Sequence, residues 1–152
     1  MRFAKSFVLA AASVVPVAAV SADRPPADAS PMLKIVAAVE KAGYSPIVDC
    51  SFDDGRWEVE AYREDQSLEL TIDAKSGKIL SEHRDDAETR PPKDAKPLSE
   101  VLAILDKAGY ADIEDASFER RYWEVEASRE NAQRELHVDP KSGEVVSDRV
   151  DD

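Results

Sequence analysis

The sequence predicts an α+β fold of two tandem repeats, each one helix followed by a four-stranded antiparallel sheet. Three observations lead there. A shift of 66 residues superposes Arg24–Asp86 on Arg90–Asp152 without a gap, and about 31 of those 63 pairs are identical. Such self-similarity marks a duplicated folding unit. Within each copy the apolar residues first recur at three-four spacing and then alternate, so the period changes from helical to extended. Proline and glycine stand where one pattern gives way to the other.

The opening element of each copy is a helix over about three turns. Met32, Ile35, Val36 and Val39 form one apolar stripe, matched by Leu98, Val101, Leu102 and Leu105. Pro31 and Pro97 are expected at the first helical position, where no backbone N–H is needed. Gly43 and Gly109 stop the helices. The first strand alternates Val48, Cys50 and Phe52 with Asp49, Ser51 and Asp53. The second sets Trp57, Val59 and Ala61 against Glu58, Glu60 and Tyr62, and the third sets Leu68, Leu70 and Ile72 against Glu69, Thr71 and Asp73. A weaker fourth strand begins at Ile79-Leu80, or Val145-Val146 in the second copy. Alternation with acids on the outer phase predicts a sheet that is wet on one face. Turns are expected at Asp53-Asp54-Gly55 and Asp73–Gly77.

Five segments result. Residues 1–22 have Arg2 and Lys5 ahead of an apolar run ending in Val20-Ser21-Ala22, the pattern of a secretory signal peptide. Residues 23–30 are expected to be a solvated leader, 31–86 the first repeat, 87–96 a stiff Pro-rich linker and 97–152 the second repeat. Loss of Arg2 and Lys5 with the signal deepens the net charge from −12 to −14. That balance argues against nucleic acid and anionic lipid as partners and favours cations or basic protein patches. No membrane insertion is expected after signal cleavage, and the expected location is periplasmic or secreted.

The order of motifs resembles the PepSY domain family: Trp57-Glu58-Val59-Glu60 and Ile72-Asp73-Ala74-Lys75-Ser76-Gly77-Lys78-Ile79-Leu80, then Trp123–Glu126 and Val138–Val145. Pro140 and Glu144 replace the alanine and the lysine of the second motif. The resemblance implies an exported, non-catalytic module, with a regulatory or inhibitory role toward an exported peptidase or a sensor protein. It carries over no catalytic residue, and it leaves a role in trans open.

The residues themselves point the same way. Cys50 is on the inward phase and is matched by Ala116, so it reads as a small core residue rather than a nucleophile. His83 pairs with Arg149 and His137 with Thr71, so neither histidine recurs. No Cys/His cluster has zinc spacing. The Asp73–Gly77 turn resembles a calcium loop, but Lys75 occupies a ligand position and the closing acid is missing, which favours a plain hairpin turn. Glu58 and Glu60 sit among charges on a wet face and are expected to form modest ion pairs, not an acid/base couple. No enzyme activity and no cofactor are expected. The candidate binding residues are Glu58, Glu60, Tyr62, Glu124 and Glu126, and the expected partner is a protein. The alternative is a cation or small cationic ligand of the cell envelope.

Overall fold

A computed structural model describes residues 24–151. The elements are α1 (Met32–Lys41), β1 (Ile47–Asp53), β2 (Arg56–Arg63), β3 (Gln66–Asp73) and β4 (Ile79–Arg84), then α2 (Leu98–Lys107), β5 (Ala111–Glu119), β6 (Tyr122–Arg129), β7 (Ala132–Val138) and β8 (Val145–Val150). The expected signal peptide lies outside the described residues.

The helices form as their apolar stripes require. Met32, Ile35, Val36 and Val39 of α1 and Leu98, Val101, Leu102 and Leu105 of α2 are all buried. Pro31 and Pro97 are the N-caps, one residue earlier than expected. Both helices end alike: Gly43 and Gly109 adopt φ of 97° and 91°. The next amide then reaches back, Tyr44 N–H to the Val39 carbonyl and Tyr110 N–H to Leu105. Glycine enters this left-handed cap without a Cβ penalty.

The expected pair of four-stranded sheets is corrected by the strand order. All eight strands form a single antiparallel sheet, β4-β3-β2-β1-β5-β6-β7-β8. The two meanders join through β1 and β5, where Asp49 faces Ser117, Cys50 faces Ala116 and Ser51 faces Asp115. Under the 66-residue shift Cys50 becomes Ala116 and Asp49 becomes Asp115, so the seam carries a pseudo-twofold axis through its central pair. The reason is an edge problem: β1 and β5 are each the first strand of a meander, and their free backbone groups satisfy one another. Two small side chains at the axis, both fully buried, let the helices above them meet.

Both helices lie on the same face and share one core with both meanders. Phe52 packs edge-on to Trp57 at 5.1 Å between ring centroids, and Phe118 to Trp123 at 5.5 Å. Apolar burial of this kind contributes about 25 cal/mol per Å2 removed from water. The leader, expected to be solvated, and the linker are both docked. Ser30 donates its N–H to the Ala74 carbonyl and its hydroxyl to Lys75, while its own carbonyl accepts from the Trp57 indole. In the linker, Thr89 donates to the Phe118 carbonyl and Lys96 N–H to Pro140.

Candidate functional site

The face of the sheet opposite the helices carries the acids, and register arranges them in two rows that cross all eight strands. One row runs His83, Glu69, Glu60, Asp49, Ser117, Glu124, His137 and Ser147. The other runs Ser81, Thr71, Glu58, Ser51, Asp115, Glu126, Glu135 and Arg149. The pseudo-dyad exchanges the rows. Each contains an unbroken run of three directly opposed carboxylates, Glu69-Glu60-Asp49 in one and Asp115-Glu126-Glu135 in the other. Like charges placed directly across strands are destabilising.

Little on this face offsets them. Arg63, on the same strand as Glu58 and Glu60, turns to the edge of the covered face, where its guanidinium donates to Glu82 at 2.7 Å and to the Tyr44 hydroxyl at 3.2 Å. The expected ion pairing of Glu58 and Glu60 is absent among the described residues. Arg149 reaches Glu135 at 3.0 Å, and His137 lies 3.7 Å from both Glu124 and Glu135.

The carboxyls respond as crowded, partly buried acids do. Burial, then the charges of Asp115, Glu60, Glu119 and Glu58, pushes Asp49 up to about 7. Burial, then Glu126, Glu114, Glu124 and Glu119, pushes Asp115 up to about 6. Glu58, Glu60 and Glu126 are raised too, with burial again the first cause. Beside the first row, Glu60, Glu69 and Asp85 place carboxylate oxygens within 4.8 Å of one another, and Asp85 Oδ2 is buried without a hydrogen-bond partner.

Of the residues singled out from sequence, Glu58, Glu60, Glu124 and Glu126 stand together in these rows. Tyr62 does not: it is 9% exposed and covered by Arg90, whose guanidinium lies 4.4 Å from the ring centroid. Asp49, Asp115, Glu69 and Glu135 complete the array and were not singled out. Their signal was identity between the copies at outward-phase positions. In the Asp73 turn, Asp73 Oδ1 accepts from Lys75 N–H, Ser76 N–H and the Ser76 hydroxyl. Asp139 repeats that pattern. Cys50 is a buried free thiol, as its inward phase requires.

The family model described as peptidase propeptide and YPEB domain matches residues 2–83 and 85–149. No curated protein matches the chain. Among solved structures, the chain is similar to a protein of Clostridium difficile described as a lipoprotein, at TM-score 0.45 and 15% identity over 78% of this chain and 90% of that one. It is also similar to a BLIP-like protein of Bacteroides fragilis, at TM-score 0.32 and 11% identity over 80% and 86%. A third likeness is to a protein of Bacteroides eggerthii described as periplasmic, at TM-score 0.29 and 11% identity over 84% and 90%. All three lie below a TM-score of 0.5, so they decide neither the fold nor the role of this chain.

Proposed function

Because this chain belongs to the peptidase propeptide and YPEB domain family (PepSY_2), we propose that it is a non-catalytic binding module of the cell envelope. Its acidic sheet face receives a basic patch of a protein partner, an exported peptidase or the outer domain of a sensor, and regulates it. The observation that carries this reading is the pair of opposed carboxylate runs, Glu69-Glu60-Asp49 and Asp115-Glu126-Glu135. A lysine- or arginine-rich surface laid on them relieves the repulsion and steers the encounter. Among the described residues no helix is long and apolar enough to cross a membrane.

The test is retention from an envelope extract on immobilised protein, washed at low and high salt. One protein held at low salt, released at high salt and lost with Glu58→Lys/Glu60→Lys/Glu124→Lys/Glu126→Lys supports the reading. Retention that charge reversal leaves unchanged sinks it.

A second reading, divalent-cation binding, is favoured by the Glu60, Glu69 and Asp85 arrangement. A ligand bound only by the folded state raises its melting temperature. A melting temperature unmoved by millimolar calcium, magnesium or polyamine removes this reading.

A further inference from the structure

Two grooves flank the helix pair, related by the pseudo-dyad of the seam, and they are not alike. Each is bounded by the leader of one copy and by the helix end and first strand of the other. In the groove beside the linker, the Glu40 carboxylate accepts hydrogen bonds from the backbone N–H and the hydroxyl of Ser99 at the start of α2. That clamp draws the end of α1 onto α2 and leaves about 170 Å3 of space.

The positions equivalent to Glu40 and Ser99 are Asp106 and Leu33. The acid is one methylene shorter and the hydroxyl is gone, so the clamp is missing. No hydrogen bond or ion pair among the described residues engages the side chain of Asp106. The groove is open to about 490 Å3, inside the roughly 300–1,000 Å3 range of binding pockets. The half-buried Leu33 and Ile113 line it above Met32, Trp57 and Leu102, which are at most 2% exposed, and Asp106 and Asp112 stand exposed at its rim. The rim cation, Arg24, is engaged: its Nε lies 3.7 Å from Glu114, a carboxylate only 6% exposed. Beyond Arg24, Ala111 and Asp112, which both spaces share, the groove continues into a depression of about 380 Å3 that reaches Ser128 and Gln133 on the β6–β7 hairpin.

We infer that this furrow docks an extended segment of a partner protein carrying a large apolar side chain beside a lysine or arginine. Its course from the helix pair past Ala111 to the adjoining β6–β7 hairpin suits an extended chain better than a compact molecule. Leu33 and Ile113 gain by leaving water against an apolar side chain, while Asp106 and Asp112 offer unpaired carboxylates to a cation on a molecule of net charge −12. None of the carboxylates of the two rows lines the furrow, so this surface stands apart from the one proposed above.

The experiment titrates the whole chain into a fluorescent Gly-Lys-Phe-Lys-Gly peptide and follows anisotropy, with Gly-Glu-Phe-Glu-Gly and Gly-Lys-Ser-Lys-Gly as controls. Only the first peptide is expected to bind. Leu33→Ser with Asp106→Glu rebuilds the clamp of the other copy and weakens binding about tenfold or more. Asp106→Lys, at an exposed helical position that leaves the fold intact, does the same, whereas Glu144→Lys, exposed and outside both acidic surfaces, leaves this binding unchanged. Absence of binding by the wild-type chain, equal binding of the acidic or serine peptide, or full binding by the charge-reversed rim overturns the proposal.

Discussion

Cys50 and Ala116 face each other across the β1–β5 seam as one antiparallel pair, and they are the same position of the two copies. Both are fully buried, so the joint between the repeats has room for two small side chains and little more. Ala116→Leu is expected to destabilise by about 1–3 kcal/mol through overpacking, read as an earlier midpoint in urea. Burial also pushes the Cys50 thiol well above its ordinary range. Native protein should therefore resist a thiol reagent that labels Cys50 at once in denaturant; prompt native labelling would place the thiol outside the core.

Next to that pair, Asp49 and Asp115 make the fold sensitive to acid in an unusual direction. Unfolded, each ionises near its ordinary 3.8, whereas folded they hold protons to about 7 and about 6. The folded state therefore binds more protons across that window, and stability falls as pH rises through it. For Asp49 alone the effect is of the order of 2–4 kcal/mol. The carboxyls of Asp28, Asp73, Glu82, Asp94 and Asp139, held low by hydrogen bonds, act oppositely and lose their contribution below their ordinary values. The melting temperature should peak at about pH 4–5 and decline toward pH 8. Asp49→Asn/Asp115→Asn should flatten the upper limb; a limb of unchanged slope would show that these two acids are not its source.

Glu40 ties α1 to α2 through the Ser99 backbone and hydroxyl. Removing a helix-capping partner costs about 0.5–2 kcal/mol, so Glu40→Ala should lower the melting temperature, and Ser99→Ala less, since the backbone N–H remains. A double-mutant cycle should give a coupling of about 0.5 kcal/mol or more. Additive losses would mean that the side-chain contact contributes nothing. Asp106→Ala, at the clampless equivalent, should be nearly silent.

The two tryptophans offer a matched comparison. The Trp57 indole donates to the Ser30 carbonyl at 3.2 Å, whereas the Trp123 Nε1 is buried without a partner. Trp57→Phe and Trp123→Phe lose similar apolar area, but only the first also loses a hydrogen bond, worth about 1 kcal/mol. Trp57→Phe should be the more destabilising, and equal losses in thermal melts would contradict the assignment.

Much of this was legible in residues. The three-four stripes placed both helices to within a residue at their N-caps, and alternation of Trp57, Val59 and Ala61 with Glu58 and Glu60 assigned the covered and open faces of β2. Tyr62 was misread because alternation speaks of face, not of what a neighbouring segment lays over it; the cover is Arg90, from the linker. The leader was taken for solvated chain and the linker for a stiff spacer because proline and charge dominate them, yet backbone groups at Ser30 and Lys96 find partners in Ala74 and Pro140. Backbone hydrogen bonds of this sort are made by any residue and leave no pattern in a sequence.

Sequence by itself determined the repeated unit, its element order and the face on which its acids lie, because periodicity and turn chemistry act over a few residues and were written twice. Only the tertiary structure decided that the two meanders share one sheet. The seam is made by backbone groups of two edge strands around Cys50 and Ala116, and neither residue announces a partner. That joining sets Glu60 and Asp49 in line with Glu124, and Glu58 in line with Asp115 and Glu126. Two separate acidic faces thereby became one continuous surface, since cross-strand register, not sequence distance, decides which charges stand side by side.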